Sequence, residues 1–480
     1  MGAKSKIEKV AIHKLVDYLF EDPETRFPKI MDRIDTVAPA NLYPRQRAVI
    51  RNEIDRRSNW YELMLRIAHL NPGPTKRLVK TFVTDVNFLA WPTLEANRMK
   101  YGCNIPWTIL LDPTSACNLD CTGCWAADYG HSLDLSFEDI DSIIEQGKEL
   151  GVHAYIYTGG EPLMRKDDII RICEKHQDCV FLSFTNATLI DERFCQDMER
   201  VANFMPAISV EGIGEVTDVR RGEGTFARVA AAMKLLREHG LAFGVSCCYT
   251  SQNAEGITSE EFFDWIVEQG ALFAWIFTFM PIGKNSPTEL MASAAQRENL
   301  YRFVRRMRGE KPLFTLDFWN DGEFVGGCIA GGRRYLHINA AGDVEPCVFA
   351  HYANVNIHDV SLLDALRSPL FMEYYREQPF NGNLLRPCPM LDNENALARM
   401  VAASGARPTD LVDAEPAQEL CDKCAPAIAQ WAPVAERLWE NKDDPRWAAR
   451  HDGICGMAAS DFEKFDRLGR NLERPSTWEQ

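Results

Sequence analysis

Residues 107–125 read WTILLDPTSACNLDCTGCW. The apolar run 107–111 has the length and composition of a short buried strand. Directly after it, Cys117, Cys121 and Cys124 fall within eight residues. Three thiolates this close reach three corners of one [4Fe–4S] cube, whose full ligation takes four cysteines. The loop holds no fourth cysteine, so one iron is left open, much as catalytic zinc sites keep a free position for a reacting ligand. The same thiols also suit a zinc site, and the triad by itself leaves both readings standing.

Outward from this loop the chain alternates strands and helices. Strands are expected at 107–111, 153–157, 180–184, 207–210, 243–247 and 273–279, with helices at 137–150, 167–176, 192–201, 226–239 and 260–269 between them. Repeated units of this kind build a parallel sheet with helices outside. The predicted fold class is therefore α/β, a partial (β/α)6 barrel. Ligands in such sheets sit at the carboxyl ends of the strands. Polar and glycine-rich residues fall at those ends: Thr158-Gly159-Gly160-Glu161-Pro162, Thr185-Asn186, Ser209-Val210-Glu211-Gly212 and Met280-Pro281-Ile282-Gly283.

The flanks differ from this core. Residues 1–100 read as helices, with apolar faces at 10–20 and 61–70. Asn59 is the expected N-cap of the second, with Glu62 completing a capping box, and 71–74 (Asn-Pro-Gly-Pro) stops it. A helix is expected at 297–307. Residues 335–338 and 344–346 flank Asn339-Ala340-Ala341-Gly342-Asp343 and read as a hairpin. Beyond 387 the chain reads as loops with one helix near 430–439. The expected divisions are a helical extension at 1–100, a core at 101–310, a cysteine-rich unit at 311–430 and a helical tail at 431–480.

Composition narrows the function. A net charge of −16 disfavours non-specific nucleic-acid binding, which needs clustered Lys and Arg. No run of 18 apolar residues occurs, so no transmembrane segment is expected, and the polar start MGAKSKIEKV has no signal core. A cytoplasmic location is expected. Fifteen cysteines in a reducing compartment point to metal or redox chemistry rather than disulfides. Cys103, Cys173, Cys179, Cys195, Cys247, Cys248 and Cys455 lack ligand-like spacing and read as small buried apolar residues.

The Cys-x3-Cys-x2-Cys spacing resembles the radical S-adenosylmethionine superfamily. That resemblance implies a [4Fe–4S] cluster on Cys117, Cys121 and Cys124 whose open iron is chelated by the methionine amino and carboxylate groups. An electron then cleaves the sulfonium, and the 5′-deoxyadenosyl radical takes hydrogen from an unactivated C–H bond. It also implies an electron donor of flavodoxin or ferredoxin type. Gly159, Gly160, Glu161 and Pro162 resemble the family's Gly-Gly-Glu-Pro motif, which runs beside the methionine and binds its amino group. There the glycines allow close backbone approach, and Glu161 offsets ammonium charge. Ser209 and Glu211 resemble residues that meet the ribose, and Arg221 resembles an arginine that pairs with the methionine carboxylate. The family usually carries an aromatic residue before the last cysteine. Here that place holds Gly123, and Trp125 is expected to shield the cluster instead.

Cys328 and Cys347, which bracket the hairpin, resemble the opening of a SPASM or twitch auxiliary-cluster extension. Cys388, Cys421 and Cys424 are the candidates to complete one auxiliary [4Fe–4S] cluster; zinc is the alternative. His351 lies where the family's pattern has more cysteines. Radical chemistry needs a dry barrel mouth, so lids from both flanks are expected. The resemblance leaves the substrate open: a peptide or protein, as in maturases, or a lipid or other long-chain molecule. The contrasting class is a non-catalytic iron–sulfur or zinc protein.

Overall fold

The structure is a computed structural model and describes residues 3–37, 44–451 and 456–470. Cys455 and the first two residues lie outside the described residues. All six expected strands are present: β1 (Thr108–Leu111), β2 (Ala154–Tyr157), β3 (Val180–Thr185), β4 (Phe204–Ser209), β5 (Gly244–Tyr249) and β6 (Phe273–Thr278). Three more extend the sheet: β7 (Phe314–Asp317), β8 (Tyr335–Ile338) and β9 (Val344–Glu345). The order is β7-β6-β5-β4-β3-β2-β1-β8-β9, parallel throughout except for β9, which is antiparallel to β8. Each strand from β1 to β7 lies beside its successor, so the crossover helices stay on one side and the sheet curls into a partial barrel.

Side-chain alternation sorts the strands onto two faces. Ile109, Tyr155, Phe181, Ile208, Val245, Ile276 and Leu336 point outward into the layer beneath the helices. Leu110, Ile156 and Tyr335 point inward into a second apolar cluster, joined by Phe184, Trp275 and Phe277. The helices start where capping chemistry dictates. Phe137–Leu150 opens on a reciprocal Ser136–Asp139 capping box and closes at left-handed Gly151.

The amino-terminal helices form a floor, not the expected lid over the cysteines. Leu63, on the helix Asn59–Ala68, packs with Ala207, Ala242, Leu272 and Phe273. Ala242 and Leu272 precede β5 and β6, so this contact closes the amino end of the barrel. Arg66 donates to the carbonyls of Pro312 (2.6 Å) and Val267 (2.8 Å). The N-cap of this helix is Ser58, whose hydroxyl accepts from the N–H groups of Trp60 and Tyr61. The expected cap, Asn59, instead donates to the carbonyls of Arg308 and Lys311, both at 2.8 Å, tying the floor to the core.

The carboxyl-terminal part does cover the other end. The expected hairpin is β8 and β9, but it is no separate unit, because β8 pairs with β1 in register Thr108↔Tyr335. The expected short helix near 430 is the end of a longer one, Ala417–Trp439, which carries Cys421 and Cys424 and contains Pro426 and Pro433. The divisions expected at 310/311 and 430/431 therefore fall, respectively, just ahead of a strand of the same sheet and inside one helix. Lys423 on that helix donates to the carbonyls of Pro281 (2.6 Å) and Gly283 (2.7 Å), just beyond β6.

Candidate functional site

The carboxyl end of β1 leads into the cysteine loop, and the turn after β2 holds that loop in place. Gly160 N–H donates to Thr114 O (3.0 Å), and Glu161 N–H donates to Ala116 O (2.8 Å). A Cβ on Gly160 would lie 2.1 Å from Ala116 O, and one on Gly159 would lie 2.7 Å from Thr114 O. The paired glycines are thus demanded by the main chain that delivers Cys117, one residue beyond Ala116. That reason differs from the cofactor approach expected above.

Glu161 joins the ends of β2 and β3. Its buried carboxylate accepts from Thr185 Oγ1 (2.7 Å), Asn186 N–H (2.7 Å) and Leu163 N–H (2.9 Å). Burial pushes its pKa above the ordinary carboxyl value, against the pull of those three donors. Pro162 opens the short turn Pro162–Arg165 behind this residue and does not line the cavity.

Glu211 is the clearest departure from expectation. It is fully buried and is not on the cavity wall, so it is not placed to meet a ribose. Its carboxylate takes Arg220 Nη1 (2.8 Å), Arg221 Nε (2.7 Å) and the N–H of Cys248 (2.8 Å). Burial alone would raise its pKa; Arg221 and Arg220 bring it below the ordinary range. Arg221 does line the cavity, with its guanidinium already paired to Glu211. The neighbouring Arg220, which the sequence reading passed over, reaches the cysteine loop: Thr122 N–H donates to Arg220 O (3.0 Å).

One cavity of about 250 Å³ fills the barrel. Cys117, Cys121 and Cys124 share its wall with Gly159, Gly160, Glu161, Ser209 and Arg221, while Trp107 and Thr108 mark its other end. Between them the wall is apolar: Leu110, Ile156, Phe184, Trp275, Phe277 and Phe318. Gly123 sits at φ +66°, and a Cβ there would meet the Phe279 ring at 2.7 Å. The aromatic surface missing from position 123 is thus supplied from the end of β6. Trp125 lines the cavity and meets Tyr129, His337, Phe349 and His351 edge to face.

Behind Trp125 lies a buried ionic group. His337 bridges Asp112 (2.9 Å) and Glu345 (2.7 Å), and Tyr129 donates to Glu345 (2.7 Å). Burial disfavours the imidazolium, but the two carboxylates hold its pKa up to about 10. No signal in the sequence paired these residues, because the contact depends on β8 lying beside β1. His351 is engaged by Asp410 at 2.5 Å.

The second cysteine group also meets. Cys328, Cys347 and Cys388 line a smaller cavity of about 50 Å³ together with Tyr335 and Tyr374. Cys421 and Cys424 belong to the same apolar cluster. The pKa of Cys424 is raised by burial first and then by Cys388 and Cys421, whereas for Cys421 the neighbouring charges are Asp422 and Glu415.

Neither cysteine group is drawn together as tightly as a single-ion site requires. Zinc holds thiolate sulfurs at about 2.3 Å, hence roughly 3.8 Å from each other. Among the described residues, the ligand sets drawn within 4.8 Å are His153–Asp178–Cys179 and Asp141–Glu145–His176, neither containing a cysteine of either group. Burial pushes Cys117 up to about 11, and Cys328, Cys347 and Cys388 each up to about 12.

The curled parallel sheet thus places three thiols and a glycine turn together at its carboxyl end. The Radical SAM superfamily model matches residues 111–263. The chain is 23% identical over 343 residues to an AdoMet-dependent heme synthase of Methanosarcina barkeri, covering 65% of this chain and 96% of that one. It is 26% identical to a PqqA peptide cyclase of Gluconobacter oxydans, over 55% of this chain and 78% of the relative. Streptococcus suis SuiB bound to precursor peptide SuiA gives 19% identity and a TM-score of 0.48, over 56% of this chain and 67% of that one. The chain carries a Radical SAM domain over residues 111–263 and is an enzyme, and relatives it resembles include SPASM-type radical S-adenosylmethionine maturases. That sets aside the non-catalytic carrier. Membership implies a [4Fe–4S] cluster and S-adenosylmethionine binding. No described helix is long and apolar enough to cross a membrane.

Proposed function

We propose that Cys117, Cys121 and Cys124 hold a [4Fe–4S] cluster that cleaves S-adenosylmethionine reductively, and that hydrogen is then taken from an unactivated C–H bond of a substrate inside the barrel. The observation that carries this reading is the single cavity joining the three thiols to an apolar interior. When bound, the cluster supplies the electron that breaks the sulfonium bond. The chain's own residues orient and exclude. Glu161, fixed by three donors, offsets the methionine ammonium. Arg221 faces the methionine carboxylate, and Ser209 offers a hydroxyl to the ribose. Phe279 and Trp125 keep water from the reacting end. A flavodoxin or ferredoxin-like donor supplies the electron. Cys328, Cys347, Cys388 and Cys424 hold one auxiliary [4Fe–4S] cluster.

The substrate is a peptide or protein presenting an apolar side chain to this interior. The likeness to a PqqA peptide cyclase supports that class. A second reading, a lipid or long-chain substrate, is favoured by one feature. The apolar wall continues from the cysteine loop to Trp107 at the far end, a depth suited to a hydrocarbon chain.

The test is anaerobic. Reconstituted, reduced enzyme is given S-adenosylmethionine with a peptide set or with acyl lipids, and 5′-deoxyadenosine is measured. Peptides raising its yield support the first reading; lipids alone doing so replace it with the second. No 5′-deoxyadenosine under any condition defeats both.

A further inference from the structure

The helix Ala459–Arg467 meets the residues just ahead of β8 and the helix Ala90–Tyr101 around a small space whose lining holds no cysteine of either group. Its charged lining is Arg98, Arg333, Arg334, Lys464 and Arg467 against the single carboxylate of Asp461. Glu95 stands behind, paired with Arg98. Glu463 and Asp466, the other acids of the helix Ala459–Arg467, do not line the space. Four of the cations are withdrawn from solvent: Arg98 is 6% exposed, Arg333 2%, Lys464 3% and the Arg334 side chain 16%. Four such cations against two carboxylates leave two positive charges in excess among the described residues. Buried charge is normally paired, because the interior solvates an ion poorly.

The hydrogen bonds show which cations carry the excess. Arg98 is spent on Glu95 and on the carbonyls of Ile105 and Arg333. Arg333 grips both oxygens of Asp461 at 3.2 Å and gives its remaining amino group to the carbonyls of Val325 and Cys328. Arg334 comes second to that carboxylate: it reaches Asp461 only at 3.5 Å, and its one hydrogen bond is to Arg333 O at 3.3 Å. Lys464 Nζ donates to Gln378 O at 2.8 Å, which leaves two of its three donors without an acceptor among the described residues. Arg467, three residues on and so on the same helix face, holds Met99 O at 2.8 Å from the rim. The electrostatics agree with this count. Burial first, and then Arg333, pull the pKa of Lys464 down to about 7, and the same two causes lower that of Arg334.

We propose that this space binds one small inorganic anion of halide size, held by Arg334, Lys464 and Arg467. The volume open to it is about 10 Å³, which suits a single small guest. Chloride belongs to this class. The anion supplies the missing counter-charge and accepts the donors that Arg334 and Lys464 have to spare. It also joins segments far apart in sequence, fastening the helix Ala459–Arg467 to the residues that lead into β8. Arg334 lines the barrel cavity as well, so this fastening borders the interior where the substrate is placed. The site does not depend on either cysteine group, and the inference stands apart from the radical reading.

The test uses the full-length holoenzyme, exchanged into sodium gluconate and titrated with sodium chloride at constant ionic strength. The chloride NMR line width and the unfolding temperature are read together. Wild type is expected to broaden the chloride line saturably, with bromide reversing the broadening, and to unfold at a higher temperature as the site fills. Lys464→Met keeps the length of the side chain without its charge, and its affinity for chloride is expected to fall on the order of tenfold or more. Arg334→Gln should weaken binding in the same way. Absence of saturable broadening in wild type overturns the proposal, as does undiminished affinity in both variants. Stabilisation by phosphate with none by chloride overturns the halide assignment. Should the variants fail to fold, the wild-type line width and its reversal by bromide decide the matter.

Discussion

Replacing Gly160 with alanine tests what the paired glycines do. The added methyl would lie 2.1 Å from Ala116 O and 2.5 Å from Ala116 C. An ordinary carbon–oxygen contact is roughly 3.3 Å, so the two segments must part by about 1 Å. Gly160 is not among the residues with positive φ, so the cost is steric rather than conformational. Forced overpacking of this kind typically costs about 1–3 kcal/mol. The strain falls on main chain one residue before Cys117, where two hydrogen bonds at 2.8–3.0 Å bind the turn to the loop. Gly160→Ala should therefore bind iron poorly, and the electron paramagnetic resonance signal of the reduced cluster should weaken or shift before any S-adenosylmethionine is added. The outer apolar layer is untouched, so far-ultraviolet circular dichroism should match wild type. The competing reason for the glycine, close approach of the methionine, predicts full iron, a normal signal and lost cofactor binding only. A variant with full iron and an unaltered signal would refute the packing argument.

Three further outcomes follow from other contacts. Leu63→Ala removes a buried side chain from the floor and should cost about 2–4 kcal/mol, read as a lower unfolding temperature with cluster content unchanged at low temperature. Glu323 is paired with Arg450 (2.8 Å) and Arg446 (3.1 Å), and its pKa is held down to about 2 although burial opposes this. A depressed carboxylate stabilises above its unfolded pKa and loses that contribution as pH falls through the folded one. Wild type should thus lose on the order of 3 kcal/mol between about pH 5 and pH 2 from this group, and Glu323→Gln should flatten that part of the stability curve in acid denaturation. Cys424→Ala should remove the iron of the second group while Cys421→Ala removes little, measured by iron and sulfide content; the reverse order would reassign the fourth ligand.

Local signals carried much of the fold. Six strands and the helices between them followed from apolar runs, period-two alternation and cap residues, all properties of contiguous chain. The triad and the Gly-Gly-Glu-Pro turn were visible because each is a short motif. What stayed hidden depends on neighbours far apart in sequence. β7 has only four residues, Phe314–Asp317, and was not among the expected strands; its place depends on pairing with β6. Pro426 and Pro433 made the helix Ala417–Trp439 look like loop, although the structure carries the helix through both. Glu211 read as a ribose ligand through its resemblance to a family position; only the structure shows two arginines already occupying it. Asn59 looked like a cap because Ser58 beside it has the same chemistry.

β1 runs towards Cys117, and β8 runs towards Cys347 through the turn into β9. These two strands are hydrogen-bonded neighbours, about 4.8 Å apart. Cys117 and Cys347 therefore hang from one strip of sheet, and their separation is set by main-chain geometry instead of a flexible tether. Severing the gene between the two groups would strip β8 from the catalytic sheet itself, leaving the edge of β1 bare. β8 is thus masonry of the barrel wall and not an appendage hung on it.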